Sequence, residues 1–153
     1  MKSNMTLKSM LYHKCEAFLE SKLHTISKSI TEIQESLTSE TKSSAGDKHE
    51  TGRAMLQLER EKLGNQLAEI QKTKEVLTKI SVDKNAETIG LGSVVITNKV
   101  HYFLAISAGE LKVDNSLFYA ISASTPIGQL LLGKKAGDSF EFRGQTTHIL
   151  EVY

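Results

Sequence analysis

Apolar residues in the first half of the chain recur with the spacing of a coiled coil. Within residues 12–37 they form two interleaved rows, one made of Tyr12, Leu19, Ile26 and Ile33 and the other of Leu23, Ile30 and Leu37. Residues 56–77 repeat the pattern, with Leu56, Leu63, Ile70 and Leu77 in one row and Leu67 in the other. Spacings that alternate between three and four residues are typical of the a/d seam of paired helices. The pattern predicts two long amphipathic helices.

The two segments can be paired in a single register. If the chain reverses near residues 46–47, positions whose numbers sum to about 93 face each other, so Leu37 meets Leu56. Arg60, which interrupts the second seam, then lies across from Ile33, where its alkyl stem can cover apolar surface. One register fits both seams, which favours an antiparallel hairpin with arms of about 30 residues, or roughly 45 Å. The alternative is a dimerising coiled coil built from one continuous helix.

The second half of the chain has the composition of β-strands. Six short runs rich in β-branched and aromatic residues predict strands near 93–98, 100–107, 110–113, 117–122, 138–142 and 147–152. Between the fourth and fifth runs, Ser124 or Thr125 can cap a helix, Pro126 suits its first turn and Gly133 its end. We therefore predict an α+β protein in which an N-terminal antiparallel coiled-coil hairpin precedes a small antiparallel β-sheet domain with one short helix. The predicted boundaries are 1–81 for the hairpin, 82–92 for a linker and 93–153 for the domain.

Composition excludes several classes of protein. The 153 residues carry a net charge of +1, which argues against a protein that coats nucleic acid by bulk charge. No apolar run approaches the roughly 18 residues of a membrane span, and the first ten residues lack the apolar core of an export signal. The single cysteine, Cys15, suits a reducing cytoplasm and is expected to be a small packing residue. His101 and His148 fall in predicted strands and are expected to be surface residues, or structural residues with satisfied hydrogen bonds, instead of metal ligands.

The helical pattern breaks at SSAGDKHETG, residues 43–52, where two acids stand three residues apart. Asp47 and Glu50 have an ordinary explanation, because Asp caps helices and acids near a helix N-terminus interact favourably with the helix dipole. They have a functional explanation if the hairpin presents them to a metal ion. Nearby Arg53 and Arg60 are expected either to be solvated or to contact acidic protein or phosphate groups.

Two local matches resemble the bacterial Gre family of transcript cleavage factors. Gly46–Thr51 is similar to the family's tip sequence G-D-L-K-E-N, with both acids in register. Ser124–Lys135 is similar to the family segment S-P-I-x-x-x-L-[IL]-G-K. The matches occur in the family's order along the chain, beside the predicted hairpin and sheet domain. The resemblance implies an FKBP-like C-terminal domain that docks on RNA polymerase, and a hairpin that enters the polymerase secondary channel.

The resemblance also implies a role for particular residues. Asp47 and Glu50 would help hold a Mg²⁺ ion shared with RNA polymerase, so that a backtracked transcript is cut near its 3′ end. The protein would bring no cofactor of its own and would not be an enzyme alone, since no complete nucleophile, base and oxyanion set can be assembled from its residues. It is expected to be a cytoplasmic monomer that binds no membrane. Its contact with the RNA 3′ end would be indirect, through the polymerase. The expected contacts with the polymerase come from Ser124, Pro126, Ile127, Gly133, Lys134 and Lys135.

The chain departs from the family directly after the tip acids. Gre factors continue with A-E-Y, whereas this chain has Gly52, Arg53 and Ala54. The loss of the second glutamate and the tyrosine leaves two other hypotheses open. One is a regulator that occupies the secondary channel without stimulating cleavage. The other is a coiled-coil interaction protein unrelated to polymerase.

Overall fold

The computed structural model describes the backbone of residues 6–42 and 47–153 and the side chains of residues 6–39 and 51–153. The elements in chain order are α1 (Leu7–Lys42), α2 (Asp47–Thr78), β1 (Val94–Thr97), β2 (His101–Ala105), β3 (Gly109–Val113), β4 (Ser116–Ser122), α3 (Pro126–Leu131), β5 (Ser139–Phe142) and β6 (Gln145–Val152). This order confirms the predicted fold class, two long helices followed by a small sheet with one short helix. Within the described ranges, no helix is both long and apolar enough to cross a membrane.

The chain divides into two compact units. Residues 19–74 form one unit, and residues 1–18 together with 75–153 form the other. The C-terminal part of α1 and the N-terminal part of α2 therefore belong to the first unit, and the opposite ends of both helices belong to the second. Ile89, inside the predicted linker, is only 2% exposed and belongs to the core of the second unit.

The unit of residues 19–74 is the predicted helical hairpin. Its seam residues are the least exposed apolar side chains of the two arms, with Leu19, Leu63 and Ile70 buried and Leu37 and Leu56 half-buried. By contrast, Met55 and Leu58, which lie off the seam, are each 67% exposed. Most of the seam is only half-buried because each helix of a two-helix hairpin has a single neighbour to cover it. The alternation of three- and four-residue spacings therefore identified the packed face correctly.

The second unit is built on a six-stranded sheet in the order β3-β4-β2-β1-β6-β5. All six predicted strands are present, and four of the five neighbouring pairs are antiparallel as expected. The pair β2 and β4 is parallel, which differs from the all-antiparallel prediction. The reason is topological: β3 and β4 form a hairpin, and β4 rather than β3 lies beside β2. Alternation of apolar residues defines a strand but leaves its partner and direction open.

Both faces of the central sheet are apolar. One face contributes to a core formed by Ile89, Val95, Tyr102, Leu104, Leu131, Phe140 and Ile149, and α3 supplies Leu131. Because side chains alternate along a strand, Val94, Phe103 and Phe118 lie on the other face, and all three are buried. A sheet that buries both faces needs a layer on each side. Leu11 and Cys15 of α1 and Leu77 of α2, which belong to the same unit, are also buried.

The first turns of α1 are packed within this unit. Leu11 and Cys15 are fully buried, and a cavity of about 390 Å³ is lined by Leu7, Lys8, Val82 and Val94 among others. The Lys8 ammonium donates to the Lys84 carbonyl over 2.5 Å, and burial lowers the pKa of Lys8. These contacts tie α1 to the segment that follows α2.

A glycine allows α3 to begin tightly against the end of β4. A Cβ atom added at Gly128 would lie 2.3 Å from the Ser122 carbonyl oxygen and 2.9 Å from Thr125 Oγ1. No L-residue with a side chain fits there without moving backbone atoms. Gly90, in the same unit, offers a contrast, since an added Cβ atom would meet nothing within 4 Å.

We expect Gly128→Ala to lower the free energy of unfolding of this unit by about 3 kcal/mol, because the new methyl group collides with a backbone oxygen. Urea unfolding followed by tyrosine fluorescence would measure the loss. The matched variant Gly90→Ala is expected to change stability by less than about 0.5 kcal/mol. Equal stabilities for the two variants would contradict the packing described for α3.

We expect the Cys15 thiol to be inert in the folded protein. Burial raises its pKa to about 12, and the thiolate is the reactive form, so alkylation at pH 8 should be slower than in the unfolded chain by about a thousandfold or more. An unfolded thiol loses its proton near pH 8.5 and the folded one only near pH 12, so Cys15 makes the fold less stable as pH rises through this interval. Iodoacetamide labelling with and without guanidinium would measure the rates. Rates within about tenfold of each other would show that Cys15 is accessible.

Candidate functional site

The predicted tip acids lie at the start of α2. That helix begins at Asp47 and α1 ends at Lys42, so the backbone of Asp47 and Glu50 belongs to the first turn of α2 at the turn end of the hairpin. The side chains of both acids, and residue Gly46 of the matching motif, lie outside the described residues. Their role in holding metal therefore stays a prediction.

A groove of about 430 Å³ lies between the two arms near the turn. It is lined by Gln34, Leu37, Thr38, Arg53, Gln57, Arg60 and Glu61. Arg53 Nη1 donates to the Leu37 carbonyl over 3.0 Å, and Arg60 Nε donates to Gln34 Oε1 over 3.0 Å. Both bonds cross from α2 to α1 within one helical turn of the predicted register. The two arginines were expected to be solvated or to contact a partner, but their guanidinium groups contact the opposite arm.

Gly64 leaves room for the Arg60 side chain. A Cβ atom at Gly64 would lie 3.2 Å from Arg60 Nη1, closer than an ordinary contact. Glycine within a helix costs roughly 1 kcal/mol relative to alanine, so its presence four residues after Arg60 needs a reason. Space for the guanidinium group provides one. In the sequence, the signal for this contact is the glycine four residues after Arg60, the polar residue that interrupts the seam.

The start of the second candidate segment is organised around the cap of α3. Thr125 is the N-cap residue, and its Oγ1 accepts a hydrogen bond from the Gly128 amide at 3.1 Å. Ser124 Oγ lies 2.7 Å from Ser122 Oγ and is exposed, as is Pro126 in the first turn of the helix. Ile127 packs against the core and is half-buried. Of the predicted partner-binding residues in this part, Ser124 and Pro126 are the accessible ones.

The end of the segment is bound to the chain near Ile89. Gly133 adopts a φ of +82°, which favours glycine, and its amide donates to the Ile89 carbonyl at 2.9 Å. The Ile89 amide in turn donates to the Lys134 carbonyl at 2.8 Å. The Lys135 amide donates to Asp138 Oδ2 at 2.9 Å, so the backbone here is engaged while the Lys135 side chain is exposed. Gly133 therefore has a structural role.

The two candidate segments belong to different units of the chain. Residues 124–135 lie in the sheet unit, and residues 47–50 lie in the hairpin unit. In the part of the chain whose side chains are described, no group of three or more His, Cys, Asp or Glu residues could hold a metal ion. His101 packs beside Phe118, with ring centroids 5.4 Å apart, but its buried Nδ1 has no hydrogen-bond partner among the described residues, so it is not the satisfied histidine that was predicted. His148 is exposed on β6, as predicted. Neither position favours a metal site.

We expect Thr125→Ala to destabilise the sheet unit by about 1 kcal/mol, because the Gly128 amide loses its cap and the first turn of α3 loosens. Thr125→Ser keeps the hydroxyl and should remain within about 0.5 kcal/mol of the original chain. Urea unfolding of the two variants would measure the difference. An equal loss in both would attribute the effect to the threonine methyl group instead of the cap.

A solved structure is similar to most of this chain, but no family model or curated protein matches it. Among solved structures, the crystal structure of GreA factor homolog 1 (Gfh1) of Thermus thermophilus is similar over 93% of this chain and 94% of that chain. The sequence identity is 18% and the TM-score is 0.36. A similarity this distant does not assign the chain to a family.

Proposed function

We propose that this protein is a transcription elongation factor that binds RNA polymerase, inserts the turn end of its helical hairpin into the secondary channel, and stimulates cleavage of backtracked transcripts. The observation that carries the proposal is the start of α2 at Asp47. The backbone of Asp47 and Glu50 therefore lies in the first turn of a helix, at the turn end of an antiparallel hairpin. The resemblance of residues 46–51 and 124–135 to Gre factors supports the same assignment.

The spacing of the two acids suits a shared metal site. Residues three apart on a helix are surface neighbours, with Cβ atoms roughly 5–6 Å apart. Mg²⁺ commonly takes only one or two protein carboxylates and keeps several waters, so Asp47 and Glu50 form a half-site that the polymerase would complete. When bound, the metal would stabilise the attacking and leaving oxygens of the phosphodiester. The protein's own task is to carry the two carboxylates into the channel and to orient them.

The lengths of the helices support delivery into a channel. With 36 residues α1 extends roughly 54 Å, and with 32 residues α2 extends roughly 48 Å. The C-terminal segment would provide the docking contact through its exposed members Ser124, Pro126 and Lys135. Such a division of labour gives no nuclease activity without the polymerase.

One observation favours a second function, occupation of the channel without cleavage. Arg53 stands where the resemblance expects a glutamate, and its guanidinium group donates to the Leu37 carbonyl of the opposite arm. A cation at this position reduces the negative charge of the tip and offers no metal ligand. The second candidate is therefore a regulator that competes with cleavage factors.

Stalled, backtracked elongation complexes with end-labelled RNA would test both functions. We expect the protein to shorten the transcript in the presence of Mg²⁺. The variant Asp47→Ala/Glu50→Ala should reduce the rate of shortening at least about a hundredfold, because both tip carboxylates are gone. The matched variant Glu32→Ala/Glu59→Ala removes two exposed acids from the same helices and should keep the rate.

The remaining outcomes separate the other hypotheses. Absence of shortening, combined with competition against an authentic cleavage factor, would reject cleavage and support the channel-occupying regulator. Absence of any binding to core RNA polymerase would reject both and leave a coiled-coil interaction protein.

A further inference from the structure

Two arginine side chains join the arms of the hairpin near its turn end. Arg53 binds the backbone carbonyl of Leu37, and Arg60 binds the side-chain amide of Gln34, each over 3.0 Å. Both arginines are half-buried in the groove between the arms. We infer that they form a clasp that sets the register of the two helices, and that Arg53 is a positioning residue for the tip acids. The positioning role rests on the proposed function, whereas the clasp does not.

The position of the Arg53 bond makes it suited to this role. Leu37 lies five residues before the end of α1 at Lys42, and Arg53 lies six residues after the start of α2 at Asp47. Arg53 also follows Glu50 by three residues, a spacing that places the two on one face of α2, roughly 4.5 Å apart along the axis. Anything that holds Arg53 against α1 therefore holds the first turns of α2.

The apolar seam alone defines the register weakly here. Leu37 and Leu56, the predicted seam partners closest to the turn, are only half-buried. Contact between apolar side chains is non-directional, so it opposes separation of the arms more than sliding. A slip of one residue moves a helix by about 1.5 Å, which lengthens and misaligns a charge-assisted hydrogen bond between the arms and so weakens it. The two arginine bonds supply the missing directionality.

The identity of residue 53 matters chemically. The Gre pattern has a glutamate there, and an ionised carboxylate is an acceptor that cannot donate to a carbonyl oxygen. Arginine supplies five N–H donors in a fixed planar arrangement, so it can reach a carbonyl on the facing helix. The replacement in this chain therefore creates a contact between the arms that the family's residue could not make.

Amide hydrogen exchange on the full chain tests the clasp without polymerase. Arg53→Met removes the donor, and we expect exchange in the last turns of α1, residues 34–42, to accelerate about tenfold. Lys62→Met removes a positive charge from an exposed position on the same helix and should leave exchange there within about twofold. Unchanged exchange in Arg53→Met would overturn the clasp.

Transcript cleavage at varied factor concentration tests the positioning role. We expect Arg53→Met to lower the rate at saturating factor about tenfold while the concentration for half-maximal rate moves less than about twofold, because docking is intact and the acids are misplaced. Arg53→Lys keeps a charged donor and should recover part of the saturating rate. A variant that raises the half-maximal concentration and keeps the saturating rate would overturn positioning and show that Arg53 contacts the polymerase or RNA.

The two experiments can reject the clasp and the positioning role independently of each other. If the original chain stimulates no cleavage, the proposed function and the positioning role fall together, and exchange alone decides the clasp. If cleavage is stimulated but Arg53→Met matches the original chain in both kinetic quantities, the positioning role is overturned while the proposed function stands.

Discussion

Apolar contact along the seam between α1 and α2 is the interaction on which the hairpin unit depends. Each seam residue has one neighbouring helix to cover it, so most of the row is half-buried and each leucine contributes only part of the roughly 1.5–3 kcal/mol of a fully buried one. A two-helix structure compensates by repeating the contact over many turns. Where the seam reaches the turn, the Arg53 and Arg60 bonds add directional contacts that apolar side chains cannot provide.

The sheet unit meets a different constraint, because its central strands are apolar on both faces. Val95 and Leu104 are covered on the face that includes α3, while Val94 and Phe103 are buried on the opposite face. Burial of the second face needs another layer, and this unit includes the first turns of α1, where Leu11 is fully buried. The ends of α1 and α2 outside the hairpin therefore belong to the same unit as the sheet.

The segment that resembles Gre factors most closely is largely explained by this core. Gly128 is there because a side chain would collide with the Ser122 carbonyl, and Gly133 because the backbone adopts a left-handed conformation before bonding to Ile89. Ile127 packs inward. A motif whose residues are needed for folding is stronger evidence for a fold than for a partner. Ser124, Pro126 and Lys135 are the exposed residues of the segment on which the proposed docking contact would depend.

Periodicity and local chemistry by themselves determined the two helices, their packed faces, the six strands and the capped short helix, because each of these is specified by residues close together in sequence. The register near the turn was predictable in outline, since Leu37 and Leu56 belong to matching seams. The parallel pairing of β4 with β2 could be seen only in the folded protein, because alternation does not choose a strand's partner. The tertiary structure alone revealed that Arg53 binds the Leu37 carbonyl, since a backbone acceptor leaves no mark in the sequence.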